Sequence, residues 1–183
     1  MKQRFYFLLF FALPATTYAQ APPAPVVESC LIFDAIHPSL RIDKIDGVAT
    51  INDDPQRGYS TYTYDYRGLR VGYATRAGKS DLIIFGKHAT PLSKAKGIEG
   101  ASPEKINASK ADFGIIHHNN NDYYCISSDF DGIGRSGTFQ NIRMAYISRI
   151  PSSSRRSAAL NYSFSVRDIR QIKQETDENI SQK

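Results

Sequence analysis

The chain reads as an α+β fold: an antiparallel β-sheet with one or two short helices and one disulfide. Three observations carry that reading. Most of the chain consists of short aromatic or β-branched runs broken by Gly, Asn, Asp and Pro turns. Helical signals are confined to a stretch near the start and one near the middle, while the charged tail after Asp168 reads as either a short helix or disordered. A single pair of cysteines follows an export-type leader. The order helix, strands, short helix, strands is that of an α+β domain.

The leader comes first. Lys2 and Arg4 precede the apolar run Phe5 to Leu13, which Pro14 ends. Thr17 and Ala19 place small residues at the positions needed for a cut before Gln20. Nine apolar residues are too few to span a bilayer. Residues 1–19 therefore read as a signal peptide, and the mature chain is expected to be exported, periplasmic or secreted, with no transmembrane segment. Residues 20–25, QAPPAP, read as an extended proline-rich leader. A single globular domain is expected over 26–168, followed by a polar tail over 169–183.

Within the domain, Val27, Leu31, Ile32, Ala35 and Ile36 suit a short amphipathic helix ended by His37-Pro38. Val48 to Ile51 reads as a short strand, and Asn52-Asp53-Asp54-Pro55 as a turn. YSTYTYDY, Tyr59 to Tyr66, alternates, with Tyr62, Tyr64 and Tyr66 on one face. Arg67-Gly68 then turns the chain into a hairpin partner containing Leu69, Val71 and Tyr73. Asp81 to Phe85 reads as a buried strand, and His88 to Ala101 as a polar loop. Ser102-Pro103-Glu104 is a helix-start signature, predicting a short helix to about Lys110. Gly114 to His118 and YYCIS form a second hairpin about a turn at Asn119 to Asp122. Asp129 to Gly137 is a glycine-rich loop, and strands are expected over Phe139 to Ile150 and Ala159 to Val166.

Charge and cysteines narrow the function classes. The formal charge of +5 falls to +3 when Lys2 and Arg4 leave with the leader, too weak to argue for nucleic acid. It is unevenly spread: Glu28 to Asp54 carries six acids against Arg41 and Lys44, whereas Met144 to Lys173 is mostly basic. Cys30 and Cys125 pair most simply as one disulfide in an oxidising compartment. Neither has a second cysteine or a histidine at ligand spacing, so no metal site and no cofactor is read.

The side chains that could carry chemistry are few. His117 and His118 are adjacent on a strand and point to opposite faces. His88 lies at a strand end, and a His88/Ser136/Asp129 triad can be drawn, but Gly134-Arg135-Ser136-Gly137 lacks the glycine spacing of a nucleophile elbow. Asp129 to Gly137 shares two carboxylates and a glycine with calcium loops, yet Ile133 and Arg135 stand where such loops place oxygen ligands. No catalytic set is assigned. The candidate partner-binding residues are Arg135 and Ser136 at the glycine-loop tip, His88, and the Tyr62/Tyr64/Tyr66 face.

The stretch Gly97 to Ile106, GIEGASPEKI, followed by a hairpin, resembles the helix entry of small envelope α+β domains, such as outer-membrane assembly lipoproteins and β-lactamase inhibitory proteins. The lipoprotein version would need a lipidated cysteine; Cys30, preceded by Val27-Glu28-Ser29, does not supply one. The resemblance implies a non-catalytic domain that binds another protein. The leading expectation is an inhibitor or immunity-type protein that neutralises a secreted or periplasmic enzyme, inserting the loops at His88 to Glu99 and Asp129 to Gly137. The alternatives are an envelope assembly factor binding through its tyrosines, or a hydrolase using His88 or His117.

Overall fold

The computed structural model describes residues 21–181 apart from 55, 57, 131–140 and 152–158. The elements run α1 (Ala24–Ile32), β1 (Leu40–Lys44), β2 (Thr50–Asp54), β3 (Tyr59–Tyr66), β4 (Leu69–Arg76), β5 (Leu82–Phe85), β6 (His88–Pro91), β7 (Lys96–Gly97), β8 (Asp112–His118), β9 (Asn121–Asp129), β10 (Ile142–Ile150), β11 (Ser163–Asp168) and α2 (Ile169–Ser181). Two sheets form, ordered β1-β8-β9-β10-β11-β7 and β2-β3-β4-β5-β6. Every pairing is antiparallel except β11 with β7. The α+β class and the antiparallel sheet are as the sequence predicts.

Alternation along the strands sorts side chains into two cores. One lies between the sheets: Val71, Tyr73, Ile83 and Phe85 of the second sheet meet Phe113, Tyr124, Ile126, Met144, Tyr146 and Phe164 of the first. Aromatic pairs bridge it, with Tyr64 and Phe113 ring centres 5.3 Å apart and Phe85 and Tyr124 5.2 Å apart. The other lies on the far face of the first sheet, where Ile116, Tyr123, Cys125, Ala145 and Ile147 are covered by Val26, Val27, Cys30 and Leu31 of α1 and Ile172 of α2. The result is a helical layer on a six-stranded sheet on a five-stranded sheet. Gly72 marks a tight strand approach: a Cβ there would lie 2.0 Å from the Tyr62 carbonyl oxygen.

Cys30 and Cys125 are joined as a disulfide with Cα atoms 5.8 Å apart, tying α1 to β9. Ser127 of β9 adds a hydroxyl bond to the Leu31 carbonyl at 3.2 Å. Helix α1 stops at Ile32, short of His37-Pro38. Phe33 adopts a left-handed conformation, and the Asp34 N–H turns back to the Ser29 carbonyl. Ala24 and Pro25, read as extended leader, belong to this helix, Pro25 sitting in its first turn where a missing N–H costs nothing. The segment read as a polar tail is α2, and buried Ile172 places it within the fold.

The short helix expected from Ser102 to Lys110 does not form; only one 3₁₀ turn, Ala108–Lys110, is present. The Glu104 carbonyl, which a helix would spend on residue 108, instead accepts the Tyr146 hydroxyl at 2.6 Å. Ile106 and Ala108 are buried in the inter-sheet core, so the extended path is fixed by packing. Asn52 to Asp54, read as a turn, extend β2, and β1 carries no signal the sequence reading used. The polar His88 to Ala101 stretch contains β6 and β7.

Candidate functional site

Neither Arg135 nor Ser136 falls among the described residues, nor does most of the Asp129 to Gly137 loop. Tyr62, Tyr64 and Tyr66 are half-buried and packed against the inter-sheet core rather than displayed on an open face. His88 begins β6, an edge strand of the second sheet, paired with Phe85. Tyr123 and Tyr124 face opposite cores. The sequence-selected residues are therefore not brought together in one place.

A different group converges at one end of the sandwich. In the first sheet His117 of β8 stands between Arg41 of β1 and Asp122 of β9, each directly opposite it. Asp122 is there because the β8–β9 turn is only two residues long. Asn119 and Asn120 both take positive φ, 46° and 61°, as a type I′ turn needs. His117 Nδ1 lies 2.7 Å from Asp122 Oδ1, and Nε2 lies 3.2 Å from Asp43 Oδ2. The second contact has ion-pair distance without hydrogen-bond alignment, and Nε2 is closed off from solvent. Both ring nitrogens thus face carboxylates.

Asp43 is the hub that joins the sheets. Its side chain is 13 % exposed. The Tyr66 hydroxyl donates to Oδ2 at 2.8 Å, Arg67 Nη2 approaches it at 3.3 Å, and Arg41 pairs with Oδ1. Burial alone would raise the Asp43 pKa, but the hydrogen bond from Tyr66, the close approach of His117 and the charge of Arg41 outweigh it and hold the carboxyl below its ordinary value. The Tyr66 hydroxyl moves the other way, raised by burial and then by its bond to the Asp43 carboxylate. Arg67 reaches in from the β3–β4 turn with φ 53°, followed by Gly68 at 73°, and its guanidinium lies 5.1 Å from the Tyr66 ring centre.

The second feature is an open edge. β2 is the terminal strand of its sheet among the described residues, pairing only with β3. It and the residues before it expose Val48 at 96 % and Ile51 at 58 %, the large hydrophobics most open to solvent among the described residues. Asp46 and Asp53 are exposed beside them. Neither Asp43 nor this edge was singled out from sequence. The acidic run Glu28 to Asp54 was the available signal for both.

These features define an α–β–β sandwich domain with an ionic cluster at one end and an acidic strand that forms a sheet edge among the described residues. No family model matches the chain, and neither a curated protein nor a solved structure matches it. Among the described residues, no helix is long and apolar enough to cross a membrane, and no group of three or more His, Cys, Asp or Glu is placed to hold a metal ion.

Proposed function

We propose that this chain is an exported protein-binding domain of the inhibitor or immunity type, which neutralises a secreted or periplasmic enzyme. The observation that supports the reading is the β2 edge. A terminal strand leaves backbone N–H and C=O groups unpaired, and natural sheets blunt such edges or use them. Here the edge carries Val48 and Ile51 in solvent rather than under cover. A partner strand added to β2 gains main-chain hydrogen bonds, with the two apolar side chains as anchors. The export leader and the Cys30–Cys125 disulfide suit an oxidising compartment. His117 supports the binding reading over the hydrolase one, because its Nε2 is buried against Asp43 instead of facing a substrate.

The test is capture from the host's envelope and secreted fractions, followed by activity assays on whatever enzyme is enriched. Stoichiometric inhibition that Ile51→Lys weakens by about tenfold or more supports the proposal. Full potency in Ile51→Lys removes the edge from it, and enrichment of membrane assembly proteins without inhibition favours an envelope-factor role.

A further inference from the structure

The ionic cluster sits at the mouth of an apolar cavity whose chemistry goes beyond the edge-strand reading and does not depend on it. The cavity opens between the two sheets and holds about 210 Å³. Its floor is Leu69, Phe85, Ile115 and Ile150, and its rim includes Arg67 and Asp122. A dry cavity of about 150 Å³ takes up one benzene ring, so this space suits an apolar body of roughly that size with one polar head.

The rim selects the head. Asp43 already receives Tyr66, Arg41 and Arg67. Asp122 is engaged by His117. Arg67 differs: its side chain is 71 % exposed, and its contact with Asp43 is a single one at 3.3 Å. If Arg67 turns to a ligand, Asp43 keeps two donors. A guanidinium presents a planar fork of N–H groups that matches a carboxylate. Arg67 also occupies a left-handed position that Gly, Asn or Asp fill more easily, so the turn itself gains nothing from an arginine there.

We propose that this cavity binds a small monocarboxylate, its ring or branched apolar body between the sheets and its carboxylate on Arg67. Benzoate is the probe, with benzyl alcohol as its neutral counterpart. Each is titrated into the exported, purified protein and followed by backbone amide shifts.

The expected result is a saturable shift of Arg67, Leu69, Asp122 and Ile150 with Kd of about 1 mM or tighter, and benzyl alcohol about tenfold weaker. Arg67→Asn keeps a residue suited to the turn and should weaken benzoate about tenfold while leaving benzyl alcohol unchanged. Leu69→Trp, filling the cavity from a strand position that is only half-buried, should block both. The proposal is overturned by absence of a saturable shift, by shifts scattered over surface cations, by equal binding of the alcohol, or by unchanged benzoate affinity in Arg67→Asn. Both variants are checked for a native amide spectrum, so loss of fold is read separately from loss of binding.

Discussion

Reducing the Cys30–Cys125 bond should destabilise the domain more than any single side-chain change, and the size follows from topology. The two cysteines are 95 positions apart, so the bond closes a loop holding β1 to β8 and the whole second sheet. In the chain-entropy relation, cross-linking a loop of that length removes about 16 cal/mol/K from the unfolded chain, or about 4.7 kcal/mol at 25 °C. For a domain of this size each kcal/mol corresponds to about 2–4 °C in melting temperature, so the expected drop is about 10–20 °C. The assay compares oxidised protein, reduced wild type and the Cys30→Ala/Cys125→Ala double variant by thermal and denaturant melting. Reduced wild type keeps every heavy atom, so its loss isolates the cross-link. The double variant should lose about 1 kcal/mol more, because both sulfurs are fully buried and their removal leaves a void. Reduction of the folded protein should be slow for the same reason. A reduced protein melting within about 3 °C of the oxidised form would refute the reasoning, since that is at most about 1.5 kcal/mol.

Four further outcomes are expected. Tyr73→Phe should cost about 1.5–3 kcal/mol in chemical denaturation, because the fully buried Tyr73 hydroxyl donates to Asp81 Oδ2 at 2.5 Å and, among the described residues, its loss leaves the carboxylate with the Arg76 N–H. Asp43→Asn should lose about 1–2 kcal/mol at neutral pH, measured by the same melts. Its pH dependence follows from the shifts: the Asp43 pKa is lowered by folding, so its contribution is present above the unfolded value of about 3.9 and fades as pH falls through the lower folded value. The Tyr66 pKa is raised, so its contribution holds below about pH 10 and is lost only as pH climbs through the folded value. The gap between wild type and Asp43→Asn should therefore hold across neutral pH, close in strong acid and narrow again in strong alkali. Arg67→Asn should leave stability unchanged or raise it slightly, since an exposed ion pair is worth little and asparagine tolerates the left-handed turn. Gly72→Ala should be severely destabilising in thermal melts, because the added Cβ meets backbone in the adjacent strand.

Much of the fold was legible because local chemistry and tertiary packing agree there. The Tyr59–Tyr66 strand, the Arg67-Gly68 turn and its partner strand carry period-two alternation and a two-residue turn, and they form the hairpin expected. Ser102 to Lys110 failed for the opposite reason: a good helix-start signature lost to the burial of Ile106 and Ala108 and to the Tyr146–Glu104 bond, neither visible locally. β2 was misread because a solvent-facing edge strand has no core-facing alternation, so Asn52-Asp53-Asp54 looks like turn chemistry. The ionic cluster was out of reach for a related reason. Asp43 and Tyr66 are 23 positions apart on different sheets, and no periodicity links them. His117 and Asp122 were nearer: reading Asn119-Asn120 as a two-residue turn, rather than a longer one ending at Asp122, would have paired them.

The measurement that bears most directly on the proposed strand addition at β2 is amide hydrogen exchange across Thr50 to Asp54, with and without an enzyme that the capture experiment enriches. Strand addition predicts that the outward-facing β2 amides, open in the free protein, become protected at one equivalent of partner, and that Ile51→Lys abolishes the protection. Protection confined to other surfaces, with β2 amides exchanging as fast in the complex as in the free protein, would contradict it.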